Sequence, residues 1–86
     1  MKATWVKILE YASSPLHGTM SRKLRKGVQL QINEGKIYSK AVLFIGDLFV
    51  RLTESESGNA VNTYYDFEKI ANIRTISSDS SEGGKK

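Results

Sequence analysis

Directly after Gly27, from Val28 to Ile32, apolar residues recur at every second position. Val28, Leu30 and Ile32 alternate with Gln29 and Gln31, the period of a strand with one face in a core and the other in water. Asn33-Glu34-Gly35 then predicts a turn, with Gly35 taking the positive φ. KIYSKAVLFI, residues 36–45, predicts a second strand long enough to bend, because Ser39-Lys40-Ala41 in its middle are small or polar. Gly46 and Asp47 interrupt the apolar stretch FIGDLFVRL, residues 44–52, and predict a reversal into a third strand over 48–53. Asp47 is expected to accept backbone hydrogen bonds in that turn.

ESESGNA, residues 54–60, reads as a polar connection to a fourth strand over Val61–Tyr65, and a fifth follows over Ile70–Ile76. Before Gly27 the period is different. Trp5, Ile8, Leu9 and Ala12 fall at helical spacing and predict a helix over 4–12. Thr4 is its expected N-cap, and Ser13-Ser14-Pro15 are expected to end it. PLHGTM reads as a loop, and a second helical turn is expected around Met20–Lys26. The expected fold is therefore mainly β: an N-terminal helix followed by five short antiparallel strands. Bent strands of this kind close into a small barrel that protects its edges. The 86 residues fit one domain. Residues 1–76 are assigned to it, and SSDSSEGGKK, residues 77–86, reads as a mobile tail.

Several chemistries lack the side chains they need. Cysteine is absent and His17 is the only histidine, so no metal or thiol site is expected. No glycine-rich phosphate loop occurs, and Glu54 and Glu56 fall in a solvated connection. No catalytic residue, metal or cofactor is assigned, and the chain is expected not to be an enzyme. No apolar run approaches the roughly 20 residues of a membrane span, and the N-terminus is a poor secretory signal. No membrane partner and a cytoplasmic location are expected.

Charge is unevenly divided. Residues 1–40 hold eight Lys or Arg against two acidic residues, a net +6, whereas residues 41–86 hold five against seven, a net −2. The cations concentrate in SRKLRKG, residues 21–27. Such a segment attracts phosphate backbones. Arg22, Lys23, Arg25 and Lys26 are the candidate phosphate contacts, with Lys36 and Lys40 as extensions of the same surface or as strand-edge charges. Tyr38 and Phe49 are candidate base contacts, each also readable as core or subunit contact. Tyr64 and Tyr65 point to opposite faces of one strand.

GVQLQINEGKIYSKAVLFIGDLFVRLT, followed by TYYDFEKIANIRTI, resembles the Sm-like family, including the bacterial Hfq-type proteins, over roughly residues 20–76. Val28, Leu30 and Ile32 match the alternating strand of the family's first signature. Gly35 matches its turn glycine, Asp47 its turn aspartate, and Phe49 and Val50 the apolar pair that follows. The resemblance implies an N-terminal helix before a strongly bent, five-stranded SH3-like or Sm-like barrel. It also implies homo-oligomeric rings and noncatalytic binding of single-stranded RNA, as in a riboregulator, with Phe49 stacking on a base. This chain has Ser39 or Lys40 where a strand glycine is usual, and Leu48 where a polar residue is usual. Phe67 and Glu68 replace the Lys-His of the second signature, and the Arg-Gly pair of the Sm branch is absent. The alternative is a protein-interaction or structural small barrel without nucleic-acid binding.

Overall fold

The structure, a computed structural model, describes residues 2–77. Helix α1 runs Lys2–Ala12. It begins ahead of the expected N-cap, so Thr4 lies inside its first turn. Leu9 and Ala12 are buried, and Trp5 and Val6 pack on the same core. The helix ends as Ser13 turns into a strand, its hydroxyl donating to the Leu9 carbonyl at 2.6 Å.

Among the described residues eight strand segments follow: β1 (Ser13–Pro15), β2 (Arg22–Leu24), β3 (Val28–Ile32), β4 (Ile37–Tyr38), β5 (Val42–Ile45), β6 (Phe49–Glu56), β7 (Asn59–Asp66) and β8 (Ile73–Ser77). All pair antiparallel, in a five-stranded sheet of order β1-β2-β5-β6-β7 and a three-stranded sheet of order β4-β3-β8. A 3-10 turn at Phe67–Lys69 separates β7 from β8. The chain is thus mainly β with one N-terminal helix. Among the described residues pairing is not continuous around the molecule, because β7 and β8 each bond to one neighbour.

Five local expectations are corrected. The segment around Met20–Lys26 is not helical. Lys23 is exposed and Leu24 buried, a period of two, and β2 lies between β1 and β5. The left-handed residues of the 33–35 turn are Asn33 (φ 57) and Glu34 (φ 60), not Gly35. Asn33 holds that conformation through its side chain. Oδ1 accepts from the amides of Ala71 at 2.6 Å and Asn72 at 3.3 Å, and Nδ2 donates to the Lys69 carbonyl at 3.0 Å. The polar stretch 54–60 is no loop. Ser57 (φ 52) and Gly58 (φ 81) alone make the tight turn, and the strands run up to it from both sides. The fifth strand begins at Ile73 rather than Ile70. Phe67 and Ile70 instead bury their side chains from the 3-10 turn and its C-cap. Of the expected tail, Ser77 pairs with Val28 in β8, and 78–86 lie outside the described residues.

The long second strand bends as expected. β4 pairs with β3 in one sheet, and β5 pairs with β2 and β6 in the other. The two sides of this bent hairpin are unequal. Lys23 lies opposite Val42 and Leu30 opposite Tyr38, so residues 24–29 face only residues 39–41. The surplus is taken up in a turn at Arg25–Gly27, closed by the Val28 amide on the Arg25 carbonyl at 3.0 Å, with Gly27 at φ 82. Leu30, Leu43, Val50 and Leu52 fill the core between the sheets and α1, with Tyr38 among them.

Candidate functional site

The unequal hairpin leaves a cleft of about 650 Å³ between the Arg25–Gly27 turn and the Ser39–Ala41 bend. Lys23, Arg25, Lys26 and Lys40 line it, and among the described residues no acidic one does. Four of the candidate contacts therefore meet in one place. Lys23, Lys26 and Lys40 are exposed, and among the described residues none forms an ion pair. A shallow depression lined by Val28, Gln29 and Ile76 adjoins the cleft and shares Gly27, Ser39 and Lys40 with it. Cations that converge without a counter-charge attract an extended polyanion.

The two arginines have structural partners. Arg22 Nε donates to Ser13 Oγ at 2.8 Å, and its Nη2 donates to the carbonyls of Glu10 and Ser13, each at 3.2 Å. Arg25 Nη1 donates to the Tyr11 carbonyl at 2.9 Å, and its guanidinium lies 5.3 Å from the Tyr11 ring centroid. Both cations thus sit at the C-terminal end of α1, where carbonyls lack intrahelical partners and the helix dipole favours positive charge. Arg25 also lines the cleft, whereas Arg22 does not. Lys36 is drawn elsewhere. Its ammonium contacts Glu54 at 2.9 Å, and that hydrogen bond is the largest of the influences raising its pKa above 10.5.

Tyr38 is not a base contact. Its side chain is 1% exposed, and its hydroxyl lies 2.8 Å from that of Tyr65. The position after Ile37 points inward because β4 pairs with β3 in register with the buried Leu30. Burial, together with the hydrogen bond between its hydroxyl and that of Tyr38, pushes the Tyr65 phenol well above the usual tyrosine range. Tyr64 points the other way, as the alternation requires, and is 60% exposed.

Phe49 lies on the outer face of β5, β6 and β7, half-buried. Its ring covers Gly46, where a Cβ would come within 2.9 Å of it. Its centroid is 6.1 Å from Phe44 and 5.7 Å from Tyr64. The Arg51 guanidinium lies over Phe44, 5.2 Å from its centroid. The pairing explains the cluster. Phe44 lies opposite Arg51, and Arg51 opposite Tyr64, so all three project to one side. Phe44 and Arg51 are absent from the sequence-derived candidates. Parity within each strand was legible, but the register joining them was not. Asp47 is exposed, and its turn closes through the Gly46 amide on the Phe49 carbonyl at 2.7 Å instead of through the carboxylate.

Among the described residues, no group of three His, Cys, Asp or Glu stands close enough to hold a metal ion. Nor is any described helix long and apolar enough to cross a membrane. No family model, curated protein or solved structure matches this chain.

Proposed function

We propose that this protein is a noncatalytic, Sm-like small barrel that binds single-stranded RNA through the basic cleft. One observation carries the reading: Lys23, Arg25, Lys26 and Lys40 surround one open cleft that no acidic residue lines among the described residues. The phosphate backbone lies in the cleft, and each lysine makes a salt-sensitive contact. The barrel assignment draws support from the bent β4–β5 strand shared between two sheets. The choice of RNA over DNA rests on the first-signature resemblance. So does homo-oligomerisation, to which the free edges of β7 and β8 add a physical motive. In a ring, the β7 edge of one copy pairs with the β8 edge of the next.

The test is fluorescence anisotropy with single-stranded RNA, duplex RNA and single-stranded DNA across a salt series. Binding to the RNA strand, weakening steeply with salt, is expected. No binding to any of the three at low salt would sink the proposal. Sedimentation showing only monomer would count against the ring. A second reading, a protein-interaction module, draws on the eight-residue free edge of β7 together with Leu48, which is 74% exposed at the neighbouring turn. It gains if a protein partner binds and nucleic acid does not.

A further inference from the structure

We propose that the outer face of β5, β6 and β7 is a base-stacking platform, with Tyr64 as the residue on which an unpaired base lies. This rests on the reading of the cleft as an RNA site, because the same strand is taken to occupy both. The solvent side of an antiparallel sheet is ordinarily polar. Here it presents Phe44, Phe49 and Tyr64 in mutual contact, and α1 packs on β1, β3 and β8 instead of over them.

Within that cluster, the aromatics are not equally available. Phe49 has its ring close against Gly46 and is flanked by Phe44 and Tyr64. Phe44 lies under the Arg51 guanidinium. Tyr64 packs on Phe49 from one side and is otherwise open, with 60% of its surface exposed. It is the ring a ligand reaches without moving the protein. Phe49, the aromatic singled out from the sequence, then acts by holding Tyr64 in place.

The charge of the face selects the occupant. Lys23 lies opposite Val42, so its side chain shares the face, and Arg51 adds a second cation. The carboxylate of Asp66 on the same face already accepts the Glu68 amide at 2.9 Å. Val42 lines the cleft, and Phe44 is two residues further along β5, about 7 Å away. A strand leaving the cleft past Lys23 therefore meets the aromatic cluster at once. Stacked bases need a flat π-face and phosphates need cations, and this face supplies both. A duplex hides its base faces, so the platform discriminates against it. Asn62, two residues before Tyr64 on the same side, has its Oδ1 engaged by the Thr53 hydroxyl at 2.6 Å. Its Nδ2 then stands as a donor beside the stacked base.

The test compares a short unstructured oligoribonucleotide with the same backbone lacking bases, against wild type, Tyr64→Leu and Tyr64→Phe. Wild type is expected to bind the base-bearing strand about tenfold more tightly than the abasic one. Tyr64→Leu should remove most of that difference while leaving abasic affinity and the salt slope unchanged, and Tyr64→Phe should retain it. Equal wild-type affinity for the two strands, or a Tyr64→Leu variant that binds like wild type, overturns the platform and leaves the cleft reading standing. Binding of neither strand overturns both. A Tyr64→Leu variant that loses self-association but keeps RNA affinity assigns the face to a second copy, and likewise overturns the platform.

Discussion

The hydroxyls of Tyr38 and Tyr65 lie 2.8 Å apart, with their rings edge-to-face at 85°. The pair ties the three-stranded sheet to the five-stranded one, since Tyr38 is in β4 and Tyr65 in β7. Tyr38→Phe leaves the other hydroxyl without its partner and should cost about 1 kcal/mol in urea unfolding. Replacing both should cost less than the sum of the singles, because no orphaned hydroxyl remains.

The same pair predicts a pH dependence. The Tyr65 phenol is raised above its ordinary 10.0, so the folded state holds that proton more tightly than the unfolded chain does. Its contribution is fully present below pH 10 and is lost as pH rises from there toward the folded value. Unfolding midpoints followed from pH 9 upward should therefore fall less steeply in Tyr65→Phe than in wild type.

Arg22 and Lys26 are neighbours in a basic segment with separate tasks. Arg22→Ala removes three hydrogen bonds at the end of α1 and should cost about 2 kcal/mol of stability. Lys26→Ala and Lys40→Ala should leave the urea midpoint unchanged. Each should instead reduce the salt slope of RNA binding by about 0.7. A Lys26 variant that unfolds readily, or an Arg22 variant as stable as wild type, contradicts this division.

Asn33 combines a left-handed backbone with three side-chain hydrogen bonds to the 69–72 segment. Asn33→Ala loses the bonds and keeps the strain, at a cost of about 3 kcal/mol. Asn33→Gly loses the bonds but relieves the strain, so it should be the milder by about 1 kcal/mol. Equal losses in thermal unfolding would show that the backbone conformation contributes nothing.

Gly46 makes room for the Phe49 ring, whose Cε1 would lie 2.9 Å from an added Cβ. Phe44 and Tyr64 hem the ring in, so Gly46→Ala should destabilise by about 1–3 kcal/mol. Phe49→Leu introduced into that background should recover part of the loss. Additive losses would rule out the steric account.

The alternation of Val28, Leu30 and Ile32, the helical stripe of α1 and the apolar runs around Gly46 were legible in the sequence. Each is a local pattern, set by residues within a few positions of one another. The same locality explains the misses. Leu24 could be placed on a strand only by its pairing with Ser13 on one side and its bond to Ala41 on the other. Gly35 looked like the left-handed residue of its turn, yet Asn33 holds that conformation through contacts with residues nearly forty positions away.

By itself, the sequence determined a helix followed by short strands, a basic segment before the first long strand, and opposite faces for Tyr64 and Tyr65. Only the tertiary structure decided that Tyr38 is core and Tyr64 surface, that Arg22 holds a helix end, and that Lys23, Lys26 and Lys40 meet. The physical reason is register. Which residues of distant strands stand opposite each other depends on burying both apolar faces together. The mismatch of 24–29 against 39–41, which opens the cleft, exists only once that pairing has formed.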